Sequence, residues 1–177
     1  CVIFLEIGQE VHITGPLEEA LNAAVRRAYT EGYLRKSMVR DPLYDRVNTR
    51  DNTPAIVHTR NVPGDQIDIL VTPKGIGSEN ASRIAMLTPA DGEQGVIDFV
   101  VDTVRQAGPN PCPPVVVGVG IGGNFESAAI MAKRMTARSL DEPNADPRYA
   151  ALEQKILEQI NTLGIGPAGI GGRNTAL

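Results

Sequence analysis

NPCPPVVVGVGIGG, from Asn110 to Gly123, is the stretch on which the fold class turns. A cysteine stands among prolines, an apolar run follows, and glycines close the run. Gly118-Val-Gly120-Ile-Gly-Gly123 matches G-x-G-x-x-G, after a predicted strand at 115–119 and before a predicted helix at 125–138. That is the setting of a dinucleotide turn, where glycines let the backbone approach a pyrophosphate at a helix N-terminus. Two features oppose this reading. The fingerprint belongs to the first strand of a βαβ unit, yet much of the chain precedes it here. The unit also needs a second parallel strand ending in a ribose-binding acid, and the segment after the helix, SLDEPNADPRYA, is polar and turn-like. Asp141 lies at a suitable distance with no strand to sit on. A nucleotide-binding domain on Gly118–Gly123 stays as the alternative of another class. The feature common to both readings is a set of backbone N–H groups at a helix start, able to meet an anion.

Outward from this stretch, the pattern is mixed. Residues 2–7 read as a strand, and 11–14 as a second short one. Pro16 opens a helix that runs to about Leu34, with Leu17, Ala20, Leu21, Ala24, Val25 and Ala28 at three- and four-residue spacing. A polar loop rich in Arg and Asp follows, long enough to be either functional or mobile. The β-rich segments 55–62 and 66–72, joined by Pro63-Gly64-Asp65, read as a hairpin. Helices are predicted from Asn80 or Ala81 to Leu87, over 93–107 with a stripe of Val96, Ile97, Val100, Val101 and Val104, and over 146–163, where Pro147 and Gly164 give the start and stop. The fold class expected is α+β: a mixed sheet with a hairpin and surrounding helices, not a regular Rossmann fold. No internal repeat divides it, so residues 1–177 are expected to form one domain.

Composition narrows the function classes. Of 177 residues, 42% are apolar and 21% charged, as in a globular domain. No run approaches the ~18–20 apolar residues that span a bilayer, so no membrane segment is expected. A net charge of −4, no basic block and no Trp argue against a nucleic-acid partner. The first residues lack the basic region of a signal peptide, and a cytoplasmic location with reduced thiols is expected. The chain looks cut at both ends: it opens directly on a strand and stops in GIGPAGIGGRNTAL without a packed terminal element.

Few residues have the spacing of a catalytic motif. Cys1 and Cys112 are the two cysteines, and on number alone they read equally well as two unpaired thiols. His12 and His58 are each alone, without zinc-site spacing. In PKGIGSEN, Lys74 precedes two glycines, and Ser78, Glu79 and Asn80 lead into a helix. Such a turn can bring backbone amides to a carboxylate, or can be no more than a capped strand–helix connection, which local chemistry favours. Arg35 could clamp a carboxylate bidentately, or be a solvated charge at a helix end.

Six stretches taken in order change this balance: CVIFLEIGQEVHITG, EGYLRKS, RDNTPAIVH, PKGIGSEN, NPCPPVVVGVGIGG and LGIGPAGIGG. Together they resemble the alpha region of the iron–sulfur-dependent class I fumarase and tartrate dehydratase family, over nearly the whole chain. The resemblance implies a hydro-lyase that reversibly hydrates fumarate to malate, or an L-tartrate dehydratase of the same family. It implies a 4Fe–4S cluster on three cysteines, with one iron left open to bind substrate and act as a Lewis acid.

The cysteine of NPCPP is one family ligand, which assigns that role to Cys112. The family's first cysteine opens a Cys-Gln-Asp-Thr-Gly segment shortly before VIFLEIG; Cys1 matches it, with the intervening segment missing. The third ligand lies beyond LGIGPAGIGG in the family. Arg35 matches a family arginine that grips a substrate carboxylate. Gly77, Asn80, Ala81 and Ser82 match the segment whose backbone lines the substrate site, although the family often has glycine where Ile76 stands. The family's acid and base residues lie elsewhere, so no catalytic residue is expected in this chain. A small dicarboxylate substrate, a beta region or beta subunit, and association into an oligomer are the implied partners. The prolines around Cys112 fix φ and remove backbone donors, which would hold a thiolate in one direction.

Overall fold

The structure is a computed structural model that describes residues 1–73 and 76–177. The chain divides into two compact units, Cys1–Ile76 and Gly77–Leu177.

The first unit is a three-stranded sheet with one helix. β1 (Val2–Gly8) takes the centre, parallel to β2 (Ile56–Val62) and antiparallel to β3 (Ile67–Thr72). β1 is the most apolar of the three segments, and a central strand is covered on both faces. Its alternation sends Ile3 and Leu5 into a core with Val25 and Tyr29 of α1 (Leu17–Glu31). Phe4 points to the other face and stacks on the His58 ring at 5.1 Å and 21°. His58 is therefore a packed side chain, as its place in a strand suggests. Burial pushes the Tyr29 phenol upward in pKa.

Pro63-Gly64-Asp65 does not close a hairpin, in contrast to the pattern-based expectation. β2 and β3 flank β1, and their connection arches over the end of β1. Gly8, Gln9 and Glu10 donate their N–H groups to the carbonyls of Gln66, Val62 and Gly64 at 2.8, 2.8 and 3.0 Å. The crossing is too close for a side chain: a Cβ on Gly8 would lie 2.3 Å from the Gly64 carbonyl oxygen. β-rich composition identified both strands correctly, but composition carries no information about which strand lies between two others. Residues 11–14 form no strand.

α1 stops at Gly32, whose N–H donates to the Ala28 carbonyl at 2.9 Å, short of the expected Leu34. The polar loop that follows is ordered. Val39 and Asn48 form a bridge, reinforced by Arg40 N–H to Val47 O and Thr49 N–H to Met38 O, both 2.9 Å. Asp41 caps the tip by accepting from the N–H groups of Leu43 and Tyr44, which draws its carboxyl below the usual pKa.

The second unit is helical. α3 (Gly92–Ala107) and α5 (Pro147–Asn161) pack through Ile97, Val100, Val101 and Val104 against Leu152, Ile156 and Ile160. Burying such a side chain contributes roughly 1.5–3 kcal/mol, so this seam dominates the unit. α5 starts as the sequence indicates, with the Asp146 side chain accepting from Arg148 N–H and Pro147 in the first turn. α2 (Ile76–Glu79) is a single turn and α4 (Phe125–Met135) is intermediate in length. Three strands of mixed direction with these helices make an α+β chain, as expected.

Two predicted elements are replaced. Residues 82–88 carry no helix. Arg83 reaches across α3 to Asp102 at 2.8 Å and lies 5.2 Å over the Phe99 ring, which draws this segment along α3 in irregular form. Residues 115–119 form no strand beyond a bridge between Val115 and Ala176. The glycine-rich tail packs, contrary to its appearance in the sequence: Thr175 and Ala176 are buried.

Candidate functional site

The cysteine turn follows directly from the end of α3. Gly108, at φ 54°, caps the helix through its N–H to Val104 O, and Cys112 N–H donates to Pro109 O at 3.0 Å. Cys112 itself sits at φ 59°, a left-handed conformation that costs a non-glycine residue about 1 kcal/mol. Its side chain is exposed, with Sγ 4.0 Å from the Asn110 carbonyl. A second loop supports the turn from behind. Ala168 N–H donates to Pro113 O at 2.7 Å, and Gly169 approaches so closely that a Cβ there would lie 2.2 Å from the Pro109 Cβ. That loop is tied to α5: Asn161 Oδ1 accepts from the N–H groups of Thr175 and Ala176 at 2.8 and 2.9 Å, and Thr175 Oγ1 accepts from Gly166 N–H at 3.2 Å.

The adjoining glycine run has a packing role. A Cβ on Gly118 would lie 2.1 Å from Ala132 O, and one on Gly120 would lie 2.2 Å from Ala128 O. Residues 118–120 therefore lie directly against the backbone of α4. Asn124 then caps α4, accepting from Ser127 N–H at 2.9 Å. The βαβ setting of a nucleotide site is also missing among the described residues: 115–119 form only a bridge and no strand follows α4.

Gly77, Asn80, Ala81 and Ser82 lie together on and just after α2, while Lys74 and Gly75 of the same motif fall outside the described residues. The N–H groups of Ala81 and Ser82 donate within the turn, to Ser78 O at 3.3 Å and Glu79 O at 3.0 Å. What the turn offers outward is the open backbone at Gly77 and the exposed Asn80. Lys133 of α4 pairs with Glu79, so an ion pair ties the turn to the glycine-packed helix, a link the sequence does not show.

Cys1 and Arg35 belong to the first unit. Cys1 is buried in the α1 core beside Ile3, Val25 and Tyr29. Arg35 is exposed on the loop after α1, and its guanidinium has no hydrogen-bond or ion-pair partner among the described residues. By contrast Arg26, nearby in sequence, is engaged by Asp51 at 2.8 Å. That contact comes first among the causes that hold the Asp51 carboxyl well below the carboxylate range, with Thr53 adding to it.

As a cluster ligand, Cys112 is well placed: an exposed thiol on a braced turn, in no disulfide. Cys1 faces the core, and among the described residues no three His, Cys, Asp or Glu side chains converge on a metal position. His12 is exposed and belongs to no metal-ligating group among the described residues. No helix among the described residues is long and apolar enough to cross a membrane.

A family model described as "Fumarate hydratase (Fumerase)" matches residues 1–177. The chain belongs to the fumarate hydratase (Fumerase) family. Among fumarase-family relatives, a Methanocaldococcus jannaschii protein provisionally named L(+)-tartrate dehydratase subunit alpha is 39% identical, covering 99% of this chain and 64% of its own length. The L(+)-tartrate dehydratase alpha subunits of Escherichia coli strains UTI89 and K12 are 33% and 32% identical, covering 99% of this chain and 59% of their own. The chain thus spans less than two thirds of the length of these relatives.

Proposed function

We propose that this chain is part of a hydro-lyase that removes or adds water on a four-carbon dicarboxylate. The observation that supports it is the match of the fumarase family along the entire chain. The names of the relatives favour L(+)-tartrate as substrate, and the family description favours the fumarate–malate pair as the second reading. Arg35 is the carboxylate clamp of this proposal, an exposed cation with no carboxylate partner among the described residues. The open backbone at Gly77, with Asn80, Ala81 and Ser82, lines the substrate.

Cys112 and Cys1 are the chain's ligands to a 4Fe–4S cluster in this reading, with a third cysteine supplied from outside residues 1–177; Cys112 is exposed for that role, whereas Cys1 would have to leave the α1 core to reach iron. The bound cluster would supply an open iron as Lewis acid on the substrate hydroxyl. The braced turn at 109–114 holds the Cys112 thiolate, and catalytic acid and base come from a beta region or beta subunit, consistent with relatives named as alpha subunits. Cysteines that are not in a disulfide suit the reducing cytoplasm.

The test is anaerobic iron and sulfide reconstitution of the full-length protein with its beta region. A brown protein that bleaches in air and dehydrates L-tartrate or L-malate is expected, and the ratio of kcat/KM values for the two assigns the substrate. Failure to take up iron would end the proposal.

A further inference from the structure

We infer that Asn52 is a positioning residue for Arg35: its buried side chain is the clamp that fixes the backbone beyond the arginine. The inference rests on the reading of Arg35 as a carboxylate-binding group. Arg35 lies between the end of α1 and the Val39–Asn48 bridge, where neither helix nor sheet holds the chain. Asn52 Oδ1 accepts from Ser37 N–H at 2.9 Å and from Met38 N–H at 3.2 Å, two and three residues past the arginine. Asn48 completes the grip, donating from Nδ2 to Lys36 O at 3.0 Å.

The geometry at Asn52 is specific to the task. The residue is 4% exposed, so its carbonyl oxygen has no water to replace these two donors. Its φ is 62°, the left-handed region that Asn enters more readily than most residues. Its own backbone is anchored on both sides. Asp51 is held by Arg26 of α1 and accepts from Thr53 N–H at 3.0 Å, and Ala55 N–H donates to Asn22 Oδ1 of α1 at 2.8 Å. The path of the constraint is continuous: α1 fixes residues 51 and 55, these fix Asn52, and Asn52 fixes Ser37 and Met38. Arg35 is thereby supported from behind while its guanidinium stays available. A clamp built this way costs Arg35 none of its own hydrogen-bonding capacity, which a salt bridge to a protein carboxylate would consume.

The experiment uses the full-length reconstituted enzyme with its beta region and compares Asn52→Gly, Asn52→Asp, Arg35→Met and the Asn52→Gly/Arg35→Met double variant. Glycine accepts φ 62° without strain and deletes only the clamp, whereas Asp retains an acceptor. Asn52→Gly is expected to raise KM for L-tartrate or L-malate about tenfold with kcat changed less than about threefold, the loss expected when a charge-assisted contact is loosened. Asn52→Asp recovers most of that loss. The double variant is no worse than Arg35→Met, because the clamp acts only through the arginine. Amide hydrogen exchange at Ser37 and Met38 rises in Asn52→Gly, a readout that does not depend on turnover.

If Arg35→Met raises KM and a folded Asn52→Gly does not, the clamp is refuted while the role of Arg35 stands. If Arg35→Met leaves KM unchanged, or neither dicarboxylate is turned over by the wild type, the reading of Arg35 fails and the inference fails with it. Should Asn52→Gly not fold, Ser37→Pro removes one of the two donors and is read by the same criteria.

Discussion

Gly120→Ala tests whether the glycine run packs a helix or cradles an anion. The added Cβ would lie 2.2 Å from Ala128 O and 2.8 Å from Ala132 N, and both are backbone atoms of α4. Ordinary van der Waals contact begins at 3.4 Å, so residues 118–120 must retreat from the helix by about 1 Å. No rotamer can relieve a clash with helical backbone. Overpacking of this kind costs about 1–3 kcal/mol, partly offset by the ~0.4–1 kcal/mol that Ala gains over Gly in the unfolded chain. A net loss of about 1–2 kcal/mol lowers the melting temperature of a unit of ~100 residues by roughly 5–10 °C. Gly122→Ala is the control. Its surroundings are open, and only the left-handed φ of 87° opposes a side chain, at about 1 kcal/mol. Urea and thermal melts of the two variants, followed by far-UV circular dichroism, give the comparison. If Gly120→Ala melts within about 1 °C of wild type while Gly122→Ala is the worse of the two, the packing explanation of this motif is wrong, since ~1 °C is far below the expected cost.

Other outcomes follow from single contacts. Cys112→Ser should abolish iron incorporation, read by metal analysis, while changing apo-protein stability by less than about 0.5 kcal/mol because the side chain is exposed. Thr175→Val leaves Gly166 N–H without its acceptor in a fully buried setting and should cost about 1–3 kcal/mol by urea denaturation. Asp51→Asn removes the charge that Arg26 and Thr53 hold and should cost about 1 kcal/mol, shown as lost protection of the 37–53 loop in hydrogen exchange. Arg138 grips Glu153 through two contacts of 2.9 Å and is the main cause that draws the Glu153 carboxyl below its ordinary 4.5. A depressed carboxylate pKa stabilises above the unfolded value and loses that effect as pH falls through the folded one. Glu153→Gln should therefore destabilise near neutral pH by less than about 1 kcal/mol, given the pair's partial exposure, and the gap to wild type should close below about pH 4.

The helices of the second unit were legible because amphipathic stripes carry a direction. Val96 to Val104 and the Pro147 and Gly164 signals placed α3 and α5 to within two residues. β1 was legible as an apolar run, and the α+β class from the mixed order of strands and helices. The failures share a physical cause, which is competition between distant partners. β-rich composition marked β2 and β3, but only the superior burial of β1 makes it the strand between them. The residues after Ser82 had helical composition, yet the contacts of Arg83 with Asp102 and Phe99 outweigh one short helix. Val115–Val119 had strand composition with no neighbour to pair beyond Ala176. The individual site residues came from resemblance. Their supports, Asn52 above all, carry no sequence signal except that Asn tolerates the left-handed region.

Those supports share one design. The segments that carry Arg35 and Cys112 lie outside helices and strands, so the ordinary hydrogen-bond ladders cannot fix them. Each is instead held by a side-chain oxygen that takes two backbone donors, buried in Asn52 and half-buried in Asn161. Asn52 Oδ1 takes Ser37 and Met38, and Asn161 Oδ1 takes Thr175 and Ala176, behind the loop that braces Pro113. An oxygen with two lone pairs can fix two consecutive peptide planes, and at Asn52 burial makes loosening costly because no water replaces it. Side-chain acceptors also leave the outward face of each loop clear, so that the thiol of Cys112 and the guanidinium of Arg35 stay exposed while their backbones are rigid. A loop held in this way can be as well defined as a helix, and its sensitivity is concentrated in one asparagine in each unit.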